Sequence, residues 1–193
     1  MSTPSSFTLA LQNVTLGPLQ NLSHTWSTGV SWICGDEGKG KTTLLRLLAG
    51  EVQPTQGKII TAQDDAFWID LQRSKYDTDT ALACWNTLRA RHSQWSCDLQ
   101  DNLVEALNMT SHIEKPLHTL STGSRRKVML IAALASGASV TLLDQPFMAL
   151  DLASIRIIQE FLNEVADHPH RAWLVADYTV PSNMPRTRIL NLD

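Results

Sequence analysis

The sequence predicts an α/β fold, because two apolar runs typical of buried strands are separated by segments with helical spacing. The first run, Val30 to Cys34, leads directly into a glycine-rich stretch, residues 35–42. Leucines then recur on one helical face up to Gly50, which is typical of a helix that ends at a glycine. The second apolar run, residues 139–144, ends in a carboxylate, Asp144.

The glycine-rich stretch fits the phosphate-binding pattern G-x-x-x-x-G-K-[ST]. It reads Gly35-Asp36-Glu37-Gly38-Lys39-Gly40-Lys41-Thr42 and is followed by Thr43. Its glycines allow backbone N–H groups to close around an anion at a helix N-terminus. We expect Lys41 to reach the β- and γ-phosphates and the Thr42 hydroxyl to ligate Mg²⁺. These residues and Thr43 are therefore the predicted nucleoside triphosphate site.

The remaining elements follow from apolar spacing and from turn residues. Residues 7–15 and 58–61 are expected to form a small antiparallel sheet, with a turn at 53–57 before the second strand. Apolar residues at helical spacing predict helices at residues 79–92, 96–108 and 152–165. Residues 128–143 lack charge, but 16 residues are too few to span a bilayer, so they predict a buried helix and then the strand at 139–144. Residues 171–176 and 187–192 are expected to be closing strands.

Two further segments resemble the signatures of the ATP-binding cassette (ABC) ATPases. The segment Leu120-Ser121-Thr122-Gly123-Ser124 is similar to the family signature LSGGQ, with matches at Ser121 and Gly123 and departures at Thr122 and Ser124. Residues 146–151 are similar to the family's D-loop. The resemblance implies a P-loop NTPase fold with a parallel or mixed core sheet, a small antiparallel β subdomain and a helical subdomain that carries the signature.

The resemblance also implies the roles of particular residues. Asp144 is expected to hold the Mg²⁺ hydration shell beside the phosphate loop. Gln72 is the best match to the family's Q-loop glutamine, which ligates Mg²⁺ and senses the membrane partner. Family members form head-to-tail dimers, so residues 121–124 would cover ATP bound to the phosphate loop of a second cassette.

This chain departs from the family at the catalytic positions. The family has Glu after the Mg²⁺ aspartate, and this chain has Gln145, whose amide can orient a water but cannot accept its proton. Glutamine there fits a slow natural ATPase and also a substitution that traps the ATP state. The family's switch histidine is replaced by Asp177 or Tyr178, and we expect Tyr178 to be the better donor to a γ-phosphate. An equally open interpretation is that both residues only end a strand. Residues 14–29 offer no obvious adenine-stacking tyrosine.

The length and the charge of the chain limit its possible organisation. Its 193 residues predict one cassette, with a core at about 1–70 and 138–193 and a helical lobe at about 75–137. A net charge of −3 with scattered Lys and Arg indicates no nucleic-acid partner. The N-terminus lacks the features of a signal peptide, so we expect a cytoplasmic protein. The family resemblance implies a position peripheral to the inner membrane, on its cytoplasmic side. Cys34 lies in a predicted core strand, where a reduced thiol acts as a small hydrophobe.

These observations favour a chain that binds Mg·ATP as the ATP-binding subunit of an ABC transporter or a related membrane complex. Its expected partners are a second cassette, identical or different, and a membrane-domain subunit. Hydrolysis is expected to be slow because of Gln145. The alternative is a non-hydrolysing interaction or regulatory module, in which ATP binding alone fixes a complex.

Overall fold

The computed structural model of the chain describes residues 9–61, 65–69, 76–184 and 188–193. These residues form a three-stranded sheet, a five-stranded sheet and several helices, which separate into two compact units. The first unit comprises Met1–Trp68, Ser139–Gln145 and Leu162–Asp193. The second comprises Ile69–Ala138 and Pro146–Phe161.

The three-stranded sheet is antiparallel and belongs to the first unit. Its strands are β1 (Leu9–Leu16), β2 (Leu19–Trp26) and β4 (Gln56–Thr61), in the order β2-β1-β4. Both pairings of β1 shift register between Leu11 and Leu16, a sign of β-bulges. The predicted strands at 7–15 and 58–61 are confirmed over their described residues, whereas residues 7 and 8 lie outside them.

The five-stranded sheet has the order β5-β6-β7-β3-β8. Its strands are β3 (Gly29–Cys34), β5 (Ala66–Phe67), β6 (Val140–Asp144), β7 (Ala172–Asp177) and β8 (Arg188–Asn191). All of the pairings in this sheet are parallel among the described residues. The predicted core sheet is thereby confirmed, although residue 187, where we expected the last strand to begin, lies outside the described ranges.

Helix α1 (Lys41–Leu48) follows the phosphate loop and joins the two sheets of the first unit through one apolar core. Leu44, Leu45 and Leu47 of this helix are fully buried. They share a cluster with Leu11 of β1 and Leu142 of β6. Because each buried leucine contributes about 1.5–3 kcal/mol, this cluster fixes the start of the helix relative to the core sheet.

The second unit is mainly helical. Its helices are α2 (Ala81–Arg89), α3 (Cys97–Ala106) and α4 (Thr122–Ala135), and it includes the first part of α5 (Leu152–Glu164). Helix α4 packs against α2 and α3, and its C-terminal half from Val128 to Ala135 is buried. No helix in the described ranges is long and apolar enough to cross a membrane.

The first unit differs from the sequence-based expectations in two places. No strand was predicted at residues 19–26, where the structure has β2, because polar residues interrupt the apolar pattern there. The expected turn at 53–57 is shorter, since β4 already begins at Gln56.

Candidate nucleotide site

The predicted site residues of the core lie at the carboxyl edge of the parallel sheet. Cys34 at the end of β3 pairs with Asp177 at the end of β7, and Asp144 at the end of β6 pairs with Ala176. Because parallel strands end at the same edge, the phosphate loop, Asp144 and Asp177 are brought together there. This edge is where open α/β sheets bind their ligands.

The phosphate loop depends on glycine at Gly40, the residue that caps α1. Its φ is 99°, a region that other residues rarely adopt. A Cβ atom added there would also lie 2.9 Å from side-chain carbons of Pro18 and Leu19. Within the described part of the chain, the N–H groups of Gly38, Gly40 and Thr42 make no hydrogen bond. They are therefore free to bind an anion at the start of the helix.

Lys41 is held inside the loop. Its side chain is buried, with a relative exposure of 6%. The ammonium donates hydrogen bonds to the carbonyls of Gly35 and Asp36, the second at 2.8 Å. It also lies 4.6 Å from the centroid of the Tyr178 ring, a cation–π distance. The cation that we assigned to the phosphates is thus fixed at the loop.

Thr42 and Asp144 are in direct contact. The Thr42 hydroxyl donates to Asp144 Oδ2 at 2.6 Å, although 102 residues separate the two in sequence. A hydroxyl and a carboxylate are oxygen ligands of the kind that Mg²⁺ binds, so this pair fits the predicted metal position. Gln72, the other predicted ligand, lies outside the described residues.

Gln145 has an unusual backbone conformation. Its φ is 46°, and its N–H donates to the Ala176 carbonyl at 2.8 Å. A non-glycine residue in this region costs about 1–3 kcal/mol, and such residues cluster at functional sites. The hydrogen bond to the neighbouring strand holds Gln145 at the edge of the sheet, directly after Asp144.

Asp177 and Tyr178, the two candidates for the switch position, lie at the end of β7, where Asp177 is the last residue of the strand and Tyr178 follows it. The Asp177 carboxylate accepts a hydrogen bond from the Tyr178 N–H at 2.8 Å, so it caps the end of its own strand. Tyr178 is half exposed and contacts Lys41 through its ring. The sequence did not predict this ring contact. The assignment of the Tyr178 hydroxyl as a donor stays a prediction.

Cys34 is a packing residue at this edge. Burial raises the pKa of its thiol, and the negative charge of Asp177 raises it further. The thiol therefore stays protonated near neutral pH and is a poor nucleophile.

The signature residues lie at the start of α4 in the second unit. Ser121 is the N-cap, and its hydroxyl oxygen accepts the Ser124 N–H at 3.1 Å. The two hydroxyl groups also bond at 3.0 Å. Ser124, which departs from the family glutamine, is therefore used to close the cap. Ser121 and Thr122 are both exposed and accessible to a partner.

Packing within the unit explains why position 123 is a glycine, in addition to the match with the family signature. A Cβ atom at this position would lie 2.5 Å from the carbonyl oxygen of Ala149, a residue with a positive φ of 62° in the segment similar to the D-loop. Any side chain would collide with this backbone. The glycine is consequently required within the unit itself, independently of any nucleotide.

An ion pair joins α4 to the end of the same segment. Lys127 Nζ donates to Asp151 Oδ2 at 2.8 Å and to the Leu107 carbonyl at 3.2 Å. Asp151 also accepts the N–H and the hydroxyl of Ser154, and so it caps the first turn of α5. The hydrogen bond from Lys127, with those from Ser154, holds the pKa of Asp151 well below its usual range. This carboxylate stays ionised, and the pairing was not predicted from the sequence.

Comparisons with known proteins match most of the length of this chain. A family model described as ABC transporter matches residues 19–148. A cytochrome c biogenesis ATP-binding export protein, CcmA of Pseudomonas syringae pv. tomato, is 32% identical over 153 residues, which are 74% of this chain and 71% of that protein. The protein of the same name from Pseudomonas putida is 30% identical over 171 residues, which are 83% of this chain and 81% of its own.

A solved structure bears on the fold. An ABC transporter ATP-binding protein of Pyrococcus furiosus matches with a TM-score of 0.79 and 20% identity. The match covers 96% of this chain and 97% of that one.

Proposed function

Because the chain belongs to the ABC transporter family and is a nucleotide-binding subunit of that family, we propose that it binds Mg·ATP at the carboxyl edge of its parallel sheet. The observation that carries this proposal is the contact between Thr42 and Asp144. It unites a residue of the phosphate loop with the carboxylate that follows the second core strand. Together with buried Lys41, it supplies the charges and the oxygen ligands that a metal-bound triphosphate requires.

Different residues of this site would bind the phosphates and the Mg²⁺ ion. The free N–H groups of the loop and the Lys41 ammonium bind and orient the phosphates. Thr42 and Asp144 would hold Mg²⁺, which neutralises phosphate charge when it is bound. Of the other loop residues, Asp36, Glu37 and Lys39 are exposed, while Thr43 lies in the first turn of α1. Gln72 remains a proposed third ligand.

Hydrolysis by this site is proposed to be slow. Gln145 follows Asp144 and can orient a water through its amide, but the amide cannot take the proton of that water. Asp177 and Tyr178 replace the histidine that would contact the γ-phosphate, and the Tyr178 ring is already engaged with Lys41. Both departures weaken catalysis while leaving the binding groups in place.

A second candidate function is an ATP-gated interaction module. Gln145 is the observation that favours it, because a site that binds ATP without a base remains in the bound state. In this role ATP binding alone would fix a dimer or a complex. The turnover of a Gln145 variant separates the two functions, as described in the Discussion.

The proposed partners are a second cassette and a membrane-domain subunit. Residues 121–124 would cover the ATP of the second cassette, with Ser121 and Thr122 exposed for that contact. The relatives named CcmA are ATP-binding export proteins of cytochrome c biogenesis. We extend the export role to this chain, which would then act at the cytoplasmic face of the inner membrane.

Removal of the metal tests the proposed site. Titration calorimetry is expected to show ATP binding that is weakened by EDTA, because Thr42 and Asp144 bind the nucleotide through Mg²⁺. Phosphate release by the chain alone should be slow, roughly below 1 s⁻¹, the low end of typical enzymes. Adding the native membrane partner shows whether the partner raises this rate. ATP binding that is absent, or indifferent to EDTA, would contradict the proposal.

The dimer is tested by substitution at the signature. Mg·ATP is expected to drive self-association measured by light scattering, and Ser121→Arg should prevent it by placing bulk and charge at the shared site. Ser96→Arg is a matched control, since Ser96 caps α3 through the Leu99 N–H in the same way. Each substitution loses one serine cap, worth about 1 kcal/mol, and adds the same side chain. A chain that stays monomeric in saturating Mg·ATP would instead indicate a different cassette as partner.

A further inference from the structure

Asp193 lies against the phosphate loop. Its Oδ1 atom accepts the Asp36 N–H at 3.0 Å and lies 3.6 Å from Lys39 Nζ. Strand β8 brings it there, because the pairing of β8 with β3 continues as a hydrogen bond from the Leu192 N–H to the Cys34 carbonyl at 2.9 Å. One carboxylate thus engages two residues of the loop that precede Lys41.

The position of this carboxylate is unusual for an anion-binding loop. Asp36 and Glu37 balance Lys39 and Lys41, so the loop has no net charge of its own. Asp193 makes the group net negative. Lys41 is already fixed by the carbonyls of Gly35 and Asp36. The loop's other ammonium belongs to Lys39. It is paired with the Asp193 carboxylate and is not free to bind a phosphate.

The ion pair is of a kind that a phosphate can displace. The side chains of Lys39 and Asp193 are 45% and 42% exposed. Exposed pairs of this type are weak and are screened by salt. A triphosphate carries several negative charges and can compete with one exposed carboxylate for the same ammonium.

We propose that Asp193 is an affinity-determining residue that restrains triphosphate binding by holding Lys39. A triphosphate must displace the Asp193 carboxylate from Lys39 before it can bind this ammonium. This inference rests on the proposed function, because it assigns the loop to triphosphate binding. The affinity for ATP then depends on a residue outside the phosphate-binding motif.

The test compares Asp193→Asn with the parent chain in titrations with Mg·ATP and with inorganic tripolyphosphate at low salt. The asparagine carbonyl can still accept the Asp36 N–H, so the substitution removes the charge and keeps the hydrogen bond. Affinity for both anions is expected to rise about two- to fivefold, the range of one exposed ion pair. The gain should shrink at high salt. It should also vanish in a Lys39→Met background.

Glu51→Gln is the matched control, since Glu51 forms an exposed ion pair with Arg46 at 3.2 Å in the same unit. Unchanged or weaker binding by Asp193→Asn overturns the inference. An equal gain in Glu51→Gln, or a gain that persists in the Lys39→Met background, also overturns it, because the effect is then one of net charge. If ATP binds normally and Asp193→Asn changes nothing, the proposed function stands and the restraint fails. If only tripolyphosphate binds, and binds Asp193→Asn more tightly, the restraint stands and the proposed function fails.

Discussion

Lys41→Ala is expected to abolish ATP binding. The substitution removes the ammonium that the loop holds at its centre, between the carbonyls of Gly35 and Asp36 and above the Tyr178 ring. The loop's other cation, Lys39, does not replace it, because the Lys39 side chain is exposed and lies outside the buried centre of the loop that Lys41 occupies. Titration calorimetry should detect no binding at ATP concentrations that saturate the parent chain.

The fold of this variant is expected to persist. Lys41 contributes its polar contacts to the loop, whereas Leu44, Leu45 and Leu47 anchor α1 in the apolar core. Lys58→Ala is a suitable control, because Lys58 is an exposed lysine of β4 in the same unit. Thermal unfolding of the two variants should be similar. An unchanged affinity of Lys41→Ala for ATP would remove the basis for assigning the loop to phosphate binding.

The core of the fold could be predicted because its signals are local. Fully buried strands appear as continuous apolar runs, and β3, β6 and β7 all have them. The amphipathic spacing of α1, α2, α3 and α5 is equally local, and these helices begin and end within a few residues of the predicted bounds. Capping residues such as Ser96 and Ser121 explain the starts of α3 and α4.

The elements that were missed depend on partners distant in sequence. Strand β2 buries Leu19 and Trp26 at its ends but is mostly exposed between them, and pairing with bulged β1 is what keeps it extended. Strand β5 has only two residues, too few for any periodicity. Its short run is defined by its pairing with β6.

The candidate site shows the same difference between features with a local sequence signal and contacts between residues distant in sequence. The loop motif and the strand that ends in Asp144 assigned Thr42 and Asp144 to one predicted Mg²⁺ position, because a motif carries its own geometry. Their direct hydrogen bond was not predicted. The contacts of Asp193 with Lys39, of Tyr178 with Lys41 and of Lys127 with Asp151 follow no motif. An opposite charge at the end of a strand that pairs with β3 was the one signal available for Asp193, and it required the sheet order.

Gln145→Glu is expected to raise ATP turnover by about 10²- to 10⁴-fold, the usual contribution of a general base. Glutamate has nearly the same shape as glutamine, and the N–H that bonds to Ala176 belongs to the backbone, so the position of the side chain should be kept. The adjacent Asp144 carboxylate favours the protonated form of a new carboxyl group, which makes it a better proton acceptor near neutral pH. Phosphate release measures the change.

Gln56→Glu is the control, because Gln56 is exposed on β4. It makes the same change of charge but places no general base at the carboxyl edge of the parallel sheet, so it should leave turnover unaltered. A large increase confined to Gln145→Glu means that the binding groups and Tyr178 are competent, and that Gln145 alone keeps the chain in the ATP-bound state. A rate that does not move means that the replacement of the switch histidine by Asp177 and Tyr178 also limits catalysis. In that case ATP binding without turnover is the working state of the chain, and the ATP-gated module explains the site better than a transport ATPase.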